Sequence, residues 1–335
     1  MNKDIYITDI STTLCIEKDL LENYEKKENY YAIKNIDLYN CKKKIKTRVD
    51  RSAQLCMNVV SELENQTDRN ELDGSGLITV SRYGCIRSKR GYLDQLNQFE
   101  NKQFASPKDF IQSICNIPNS IATIEFGIKT FSNHYVGDCD ATVNAIWQGT
   151  YIVKNDLVKA VDVVAFNSLD EKIAMEYKAE NVRISDIRET AAGIKIEKVG
   201  EGITPIFQIY GFGFSTDENI DTAIEDAILK AVKDSHISLN QVKFIGANIE
   251  RKTISLGYTS IPVINFEYLL GEIFSSLPII FLCMIRWLMD KKNSYLLIQK
   301  SKNDNHEVNI EKGDIFLLVM KGIKGNISVV CLKCC

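Results

Sequence analysis

The chain lacks a charge excess of either sign: 41 lysines and arginines stand against 44 aspartates and glutamates, a formal net charge of -3. That balance removes the electrostatic case for binding nucleic acid or an anionic membrane. The Met1-Asn2-Lys3-Asp4 start lacks a secretory signal, and the ten cysteines are scattered, so a reducing cytoplasm is expected. No clean membrane-spanning run is present. The most apolar stretch, Ile273 to Met289, carries Pro278, Arg286 and two serines. It also lies at the short end of the roughly 17 to 25 residues that a span needs, so it reads as a buried helix. The one C-x-x-C, Cys331 to Cys334 followed by Cys335, has no second pair and no neighbouring histidine. It reads as frayed terminal thiols, and neither a metal nor a cofactor is expected. No Pro/Gly/Ser-rich linker divides the chain, and only three histidines occur, His134, His236 and His306.

What is present is an ordinary soluble composition, 45% apolar and 25% charged over 335 residues, long enough for one large domain or two intimately packed halves. Ile5-Tyr6-Ile7-Thr8 predicts a first strand. Asp50 can cap a helix whose apolar face is Ala53, Cys56, Val59, Val60 and Leu63. Gly76 to Val80 predicts a strand, and a helix is expected from Cys139 to about Lys154, with Val143, Ile146, Trp147 and Tyr151 on one side. The β-branched run Ala160 to Phe166 follows as a central strand. The second half repeats this grammar. Ser215-Thr216-Asp217-Glu218 reads as a capping box before a helix with Ile220, Ile224, Ala227, Ile228, Ala231 and Val232 inward. Strands are expected at Lys243 to Ala247, Pro262 to Phe266, Ile315 to Met320 and Ile327 to Leu332, the last two joined by a Gly322 to Asn326 turn. The basic run Lys42 to Arg48 reads as a solvated face. Strands alternating with helices in both halves predict a layered α/β protein.

The order of several blocks resembles the β-ketoacyl synthase family over nearly the whole length. Ile5 to Ile10 resembles the opening strand, Ser113 to Gly127 the segment before the nucleophile strand, and Asp138-Cys139-Asp140 the nucleophile elbow. Val161 to Val164, Glu189 to Ile194 and Gly322 to Asn326 resemble the next strand, the opening of the second half and the glycine-rich gating loop. The resemblance implies a thiolase-like, layered α-β-α-β-α fold from two pseudo-repeated halves, at residues 1–180 and 181–335. The separations from Cys139 to Asn248 and from Asn248 to Glu272 are shorter than usual for the family, which implies a reduced cap over the acyl pocket.

The resemblance also implies a nucleophilic cysteine, two histidines and a lysine. Cys139 stands at the nucleophile position, Asn248 and Glu272 stand at the histidine positions, and Glu267 stands at the lysine position. None of the three histidines lies where the family needs one. In the gating loop Gly322-Ile323-Lys324-Gly325, Ile323 replaces the gating phenylalanine and Lys324 a glycine. Condensation requires donors for an enolate, and an ionised Glu272 is only an acceptor, although the Asn248 amide could donate one hydrogen bond. A helix N-terminus stabilises a thiolate by about 0.3 to 1 kcal/mol. A flanking carboxylate about 6 Å away opposes it by roughly 3 kcal/mol at an effective dielectric of about 20. Asp138 and Asp140 therefore predict a thiol harder to ionise than a working nucleophile, although both suit the start of a helix as a cap and a first-turn acid. Cys139 itself can equally be a small buried apolar residue.

The resemblance implies a role in fatty-acid or polyketide synthesis, with an acyl carrier protein or acyl thioester as partner. It also implies a homodimer, or a heterodimer with an active synthase. Three activities fit: a non-condensing subunit of the chain-length-factor type, a Cys139-dependent acyltransferase, and a 3-oxoacyl synthase with displaced catalytic residues.

Overall fold

A computed structural model describes residues 4–13, 23–36, 38, 41, 49–64, 74–98, 105–180, 186–200, 202–249, 253–256, 259–265, 270–290, 295–297 and 307–335. The expected position of the family lysine, Glu267, lies outside the described residues, as do His306 and Lys42 to Arg48.

The first half opens with β1 (Ile5–Thr12) and a small hairpin of β2 (Tyr24–Lys26) and β3 (Tyr31–Ile33). Asp50 then starts α1 (Arg51–Leu63), its carboxylate accepting from the Ser52 N–H at 2.8 Å. The predicted apolar face of α1 is wholly buried. β4 (Ser75–Ser81), α2 (Ile86–Gln98), α3 (Pro107–Gln112), α4 (Ile117–Phe126), β5 (Phe131–Val136) and α5 (Cys139–Lys154) come next. β6 (Ala160–Asn167), α6 (Glu171–Glu180) and β7 (Thr190–Glu197) complete the set. Every residue of β6 is buried, as its β-branched run predicts for a strand covered on both faces.

The second half contains β8 (Phe207–Ser215), α7 (Ile220–Asp234), β9 (Val242–Ala247), β10 (Thr253–Leu256) and β11 (Thr259–Ile264). α8 (Leu277–Asp290), a short β12 (Tyr295–Leu297) with β13 (Glu307–Asn309), β14 (Ile315–Lys321) and β15 (Ile327–Cys334) follow. Helix α7 begins later than its expected capping box. Asn219 is the cap, accepting from the N–H groups of Asp221 and Thr222.

The two halves share one strand pattern. The first is ordered β1-β7-β6-β4-β5 and the second β8-β15-β14-β9-β11, each with two antiparallel pairings followed by two parallel ones. The pattern turns over between Glu197 and Phe207, so β7 lies with the first five strands although it follows residue 180. Antiparallel pairs between β1 and β8 join the halves into one mixed sheet. Helix α1 packs on β6 and β7, and α7 packs on β8 and β15. Between them, α5 contacts strands of both halves and packs on α8, giving the α-β-α-β-α layering.

The apolar run 273–289 forms a short 3-10 turn and α8, with Ile279, Ile280, Phe281, Leu282 and Ile285 at most 1% exposed. Burying each such side chain stabilises the fold by roughly 1.5–3 kcal/mol, which accounts for the run without a membrane. No helix among the described residues is long and apolar enough to cross one. The terminal cysteines are not frayed. Cys331 and Cys334 both lie in β15, paired on its two sides by β14 and β8. Three-residue spacing in a strand sends them to opposite faces, and each joins a different buried apolar cluster, so they cannot converge on one ion.

Candidate functional site

The parallel strands β4, β5 and β6 end together, and their carboxyl ends supply the polar residues of the site, as in other open α/β sheets. Arg82 follows β4, Asp138 and Cys139 follow β5, and Asn167 closes β6. Cys139 is the first residue of α5 and only 2% exposed. Its Sγ donates to the Phe274 carbonyl at 3.1 Å and lies 3.7 Å from Asp138 Oδ1. Both are acceptors, so they bind the sulfur as a thiol.

Asp138 occupies the cap position of α5, yet its side chain makes no capping bond to the helix. It pairs instead with Arg82, Nη1 to Oδ2 at 2.9 Å. Burial, reinforced by the charge of Glu272, pushes its carboxyl up to about 6, against the opposing pull of Arg82. Arg82 sits in an aromatic box, with its guanidinium carbon 5.3, 5.0 and 5.1 Å from the ring centres of Tyr83, Tyr177 and Phe274. Arg82, Tyr177 and Phe274 escaped sequence reasoning. The only local signal was an arginine directly after the buried strand Ser75–Ser81.

Glu272 is buried beside this box. Its Oε2 accepts from the Tyr177 hydroxyl at 2.6 Å and its Oε1 from the Phe274 N–H at 2.9 Å. Both carboxylate oxygens thus hold neighbouring protein groups. Phe274 has φ of 51°, a left-handed conformation that costs a residue with a side chain about 1–3 kcal/mol. The following residues are bound across the elbow. Thr142 Oγ1 donates to the Ser275 carbonyl at 2.6 Å, and Asn167 Nδ2 donates to Ser275 Oγ at 2.8 Å.

Asn248 does not offer its amide to the site. Its Nδ2 donates to the Lys321 carbonyl at 2.9 Å, and its Oδ1 accepts from the Lys321 N–H at 2.7 Å. The side chain thereby extends the parallel pairing of β9 with β14 by one peptide unit. It fixes the residue before Gly322, where the expected gating loop begins.

That loop is the tight connection from β14 to β15. Gly322 N–H donates to the Asn326 carbonyl at 2.8 Å, and Gly325 N–H donates to the Gly322 carbonyl at 3.0 Å. Gly325 takes φ of 81°, which favours glycine. The Asp140 carboxylate lies against Gly322 so closely that a Cβ there would sit 2.3 Å from it, and the Asn326 side chain bonds Asp140. Burial raises the Asp140 carboxyl above the usual range against these bonds. Ile323 is 63% exposed, and Lys324 is exposed as well, so neither covers the thiol. The structure therefore gathers Cys139, Glu272, the loop and, through Lys321, Asn248 around one helix start.

His134 lies inside β5, as expected. Thr79 Oγ1 accepts from Asn119 Nδ2 at 3.0 Å and is hydrogen-bonded to His134 Nδ1 at 2.8 Å. Burial lowers the imidazole to about 4, and its ring stacks near Phe166. This histidine is a neutral interior group of the strand pair β4 and β5. His236, with φ of 55°, is exposed just beyond α7.

No protein-family model matches the chain, and no curated protein matches it in sequence. Solved structures match its fold. The ishigamide ketosynthase/chain length factor is 12% identical with a TM-score of 0.82, covering 100% of both chains. A β-ketoacyl synthase from Burkholderia phymatum is 10% identical with a TM-score of 0.74, again over 100% of both chains. The ketosynthase ApeO in complex with its chain length factor ApeC, from Xenorhabdus doucetiae, is 13% identical with a TM-score of 0.75, over 99% of this chain and 98% of that one. The fold of this chain is the thiolase-like fold of those proteins.

Proposed function

We propose that this protein is a non-condensing β-ketoacyl-synthase homologue of fatty-acid or polyketide synthesis, working beside an active synthase as chain length factors do. One observation carries this reading: every described group at a position expected to be catalytic is engaged with the protein itself. The thiol of Cys139 faces the Phe274 carbonyl, Glu272 holds Tyr177 and Phe274, and Asn248 holds the backbone of Lys321. Glu272 offers acceptors only, and a carboxylate there opposes an enolate. The likeness in fold to a ketosynthase and chain length factor pair supports the same kind of partner.

The surface agrees with a paired subunit. β5 is an edge strand of the sheet; its last residue Val136 and Ile124 of the adjoining α4 are 61% and 76% exposed. An open edge of this kind pairs readily with another sheet. The partner is an active synthase of the same fold, and the pair would act on chains held by an acyl carrier protein. The test is reconstitution with malonyl- and acyl-loaded carrier protein. Alone, the chain is expected to form no 3-oxoacyl product and no acyl adduct at Cys139. A 3-oxoacyl product from the chain alone would overturn the proposal, and an adduct lost in Cys139→Ala would favour the acyltransferase.

A further inference from the structure

The segment from Gly271 to Ser276 places a backbone carbonyl against the Cys139 thiol. Phe274 is completely buried, and its ring stands edge-on to Tyr83 and Tyr177 with centroids 5.4 and 5.1 Å away. Its carbonyl oxygen lies 3.1 Å from the sulfur, in hydrogen-bond contact. The thiol proton is directed at this carbonyl oxygen, so the Phe274 peptide fills the space against the sulfur.

The strained conformation of Phe274 is held from three directions. Glu272 Oε1 accepts its N–H, the aromatic box encloses its ring, and the Ser275 carbonyl and hydroxyl are bound by Thr142 and Asn167. Gly271, with φ of 68°, turns the chain into this path, where a Cβ would lie 2.5 Å from the Asp186 carbonyl oxygen. Strain maintained by several independent contacts points to a role for the conformation itself.

We propose that Phe274 is a built-in plug that occupies the acyl position in front of Cys139, with Glu272 as the positioning residue that holds it there. The plug closes the thiol to acyl groups and to small electrophiles. This inference concerns the access of one sulfur, and it deepens the proposed function without needing a pathway or partner. Glu272 touches no reacting atom in it. Its role is to accept the Phe274 N–H, which a glutamine oxygen can also do.

Timed alkylation of the full-length protein with iodoacetamide, read by peptide mapping, tests the plug. Cys56, fully buried in α1, serves as the closed reference and the half-buried Cys115 as the open one. Cys139 is expected to react as slowly as Cys56 in the wild type. Phe274→Gly removes the ring and suits the left-handed backbone, and should raise the Cys139 rate at least tenfold with Cys56 unchanged. Glu272→Ala should raise it severalfold, while Glu272→Gln should retain most of the protection. Cys139 reacting like Cys115 in the wild type would overturn the proposal. So would an unchanged Cys139 rate in both Phe274→Gly and Glu272→Ala, or a Cys139 rise matched by Cys56. If Phe274→Gly does not fold, Glu272→Ala and Glu272→Gln decide alone. A freely alkylated Cys139 in a chain that makes no 3-oxoacyl product would remove the plug and leave the proposed function standing.

Discussion

Replacing Asp138 by asparagine should change how stability depends on pH, in a direction set by the burial of this carboxyl. In the folded protein the group is raised to about 6, first by burial and then by the charge of Glu272, against an ordinary value of 3.8. The raised value means that the folded state binds the proton more tightly than the unfolded chain. The stability this provides is fully present below the unfolded value and is lost as pH rises through about 6. The gap is about 2 pKa units, which corresponds to about 3 kcal/mol. About 2 kcal/mol of it should appear between about pH 4.5 and about pH 7.5, where the rest of the fold can be measured. An asparagine side chain cannot ionise, so urea unfolding curves of Asp138→Asn and wild type should diverge in the variant's favour by that amount as pH rises. The variant also loses the 2.9 Å ion pair to Arg82, which shifts its curve downward. Because Arg82 stays charged across this range, that shift has little slope of its own. Parallel curves, or a variant that loses ground as pH rises, would refute the assignment of a buried, elevated carboxyl beside the thiol.

Two further outcomes test other parts of the site. Asn248→Ala removes both bonds to the Lys321 backbone and should cost about 1–3 kcal/mol of stability, with faster amide exchange confined to Lys321 through Asn326. Exchange left unchanged in that loop would mean that Asn248 does not hold it. His134, lowered to about 4 by burial, should stay neutral from about pH 5 to about pH 8 in an NMR titration. Its depressed value means that stability is retained at higher pH and falls as pH drops from the unfolded value of about 6.5 toward 4.

The fold was legible because its signals are periodic or β-branched. The apolar face of α1, the buried run of β6 and the hairpin after Ile315 all appear where the spacing places them. The site was legible only as positions. The helix start at Cys139 and the turn from Gly322 to Asn326 lie where the sequence placed them. The sequence could not show that Asn248 turns both ends of its amide to a strand one register away, since that depends on the pairing of β9 with β14. Nor could it show Arg82 in its aromatic box, because Tyr177 and Phe274 reach that place from distant segments. The left-handed Phe274 has no sequence signal, as it breaks the preference of its own residue type. The frayed reading of the terminal cysteines failed for a related reason. Local composition resembled a chain end, while pairing with β14 and β8 made it the interior of a sheet.

The contacts around Cys139 bear directly on the proposed lack of condensing activity. A nucleophilic cysteine needs a base or donor nearby and room for an acyl group. Here the sulfur meets a carbonyl and a carboxylate, both acceptors, and Arg82 directs its charge to Asp138. Exchanging Glu272 for histidine would restore one residue type but leave the Phe274 N–H and the Tyr177 hydroxyl without their acceptors. Exchanging Asn248 would release the Lys321 backbone that anchors the loop. Glu272 and Asn248 therefore each have structural partners, and on the proposed reading a single exchange at either position would not restore condensing activity without disturbing those contacts.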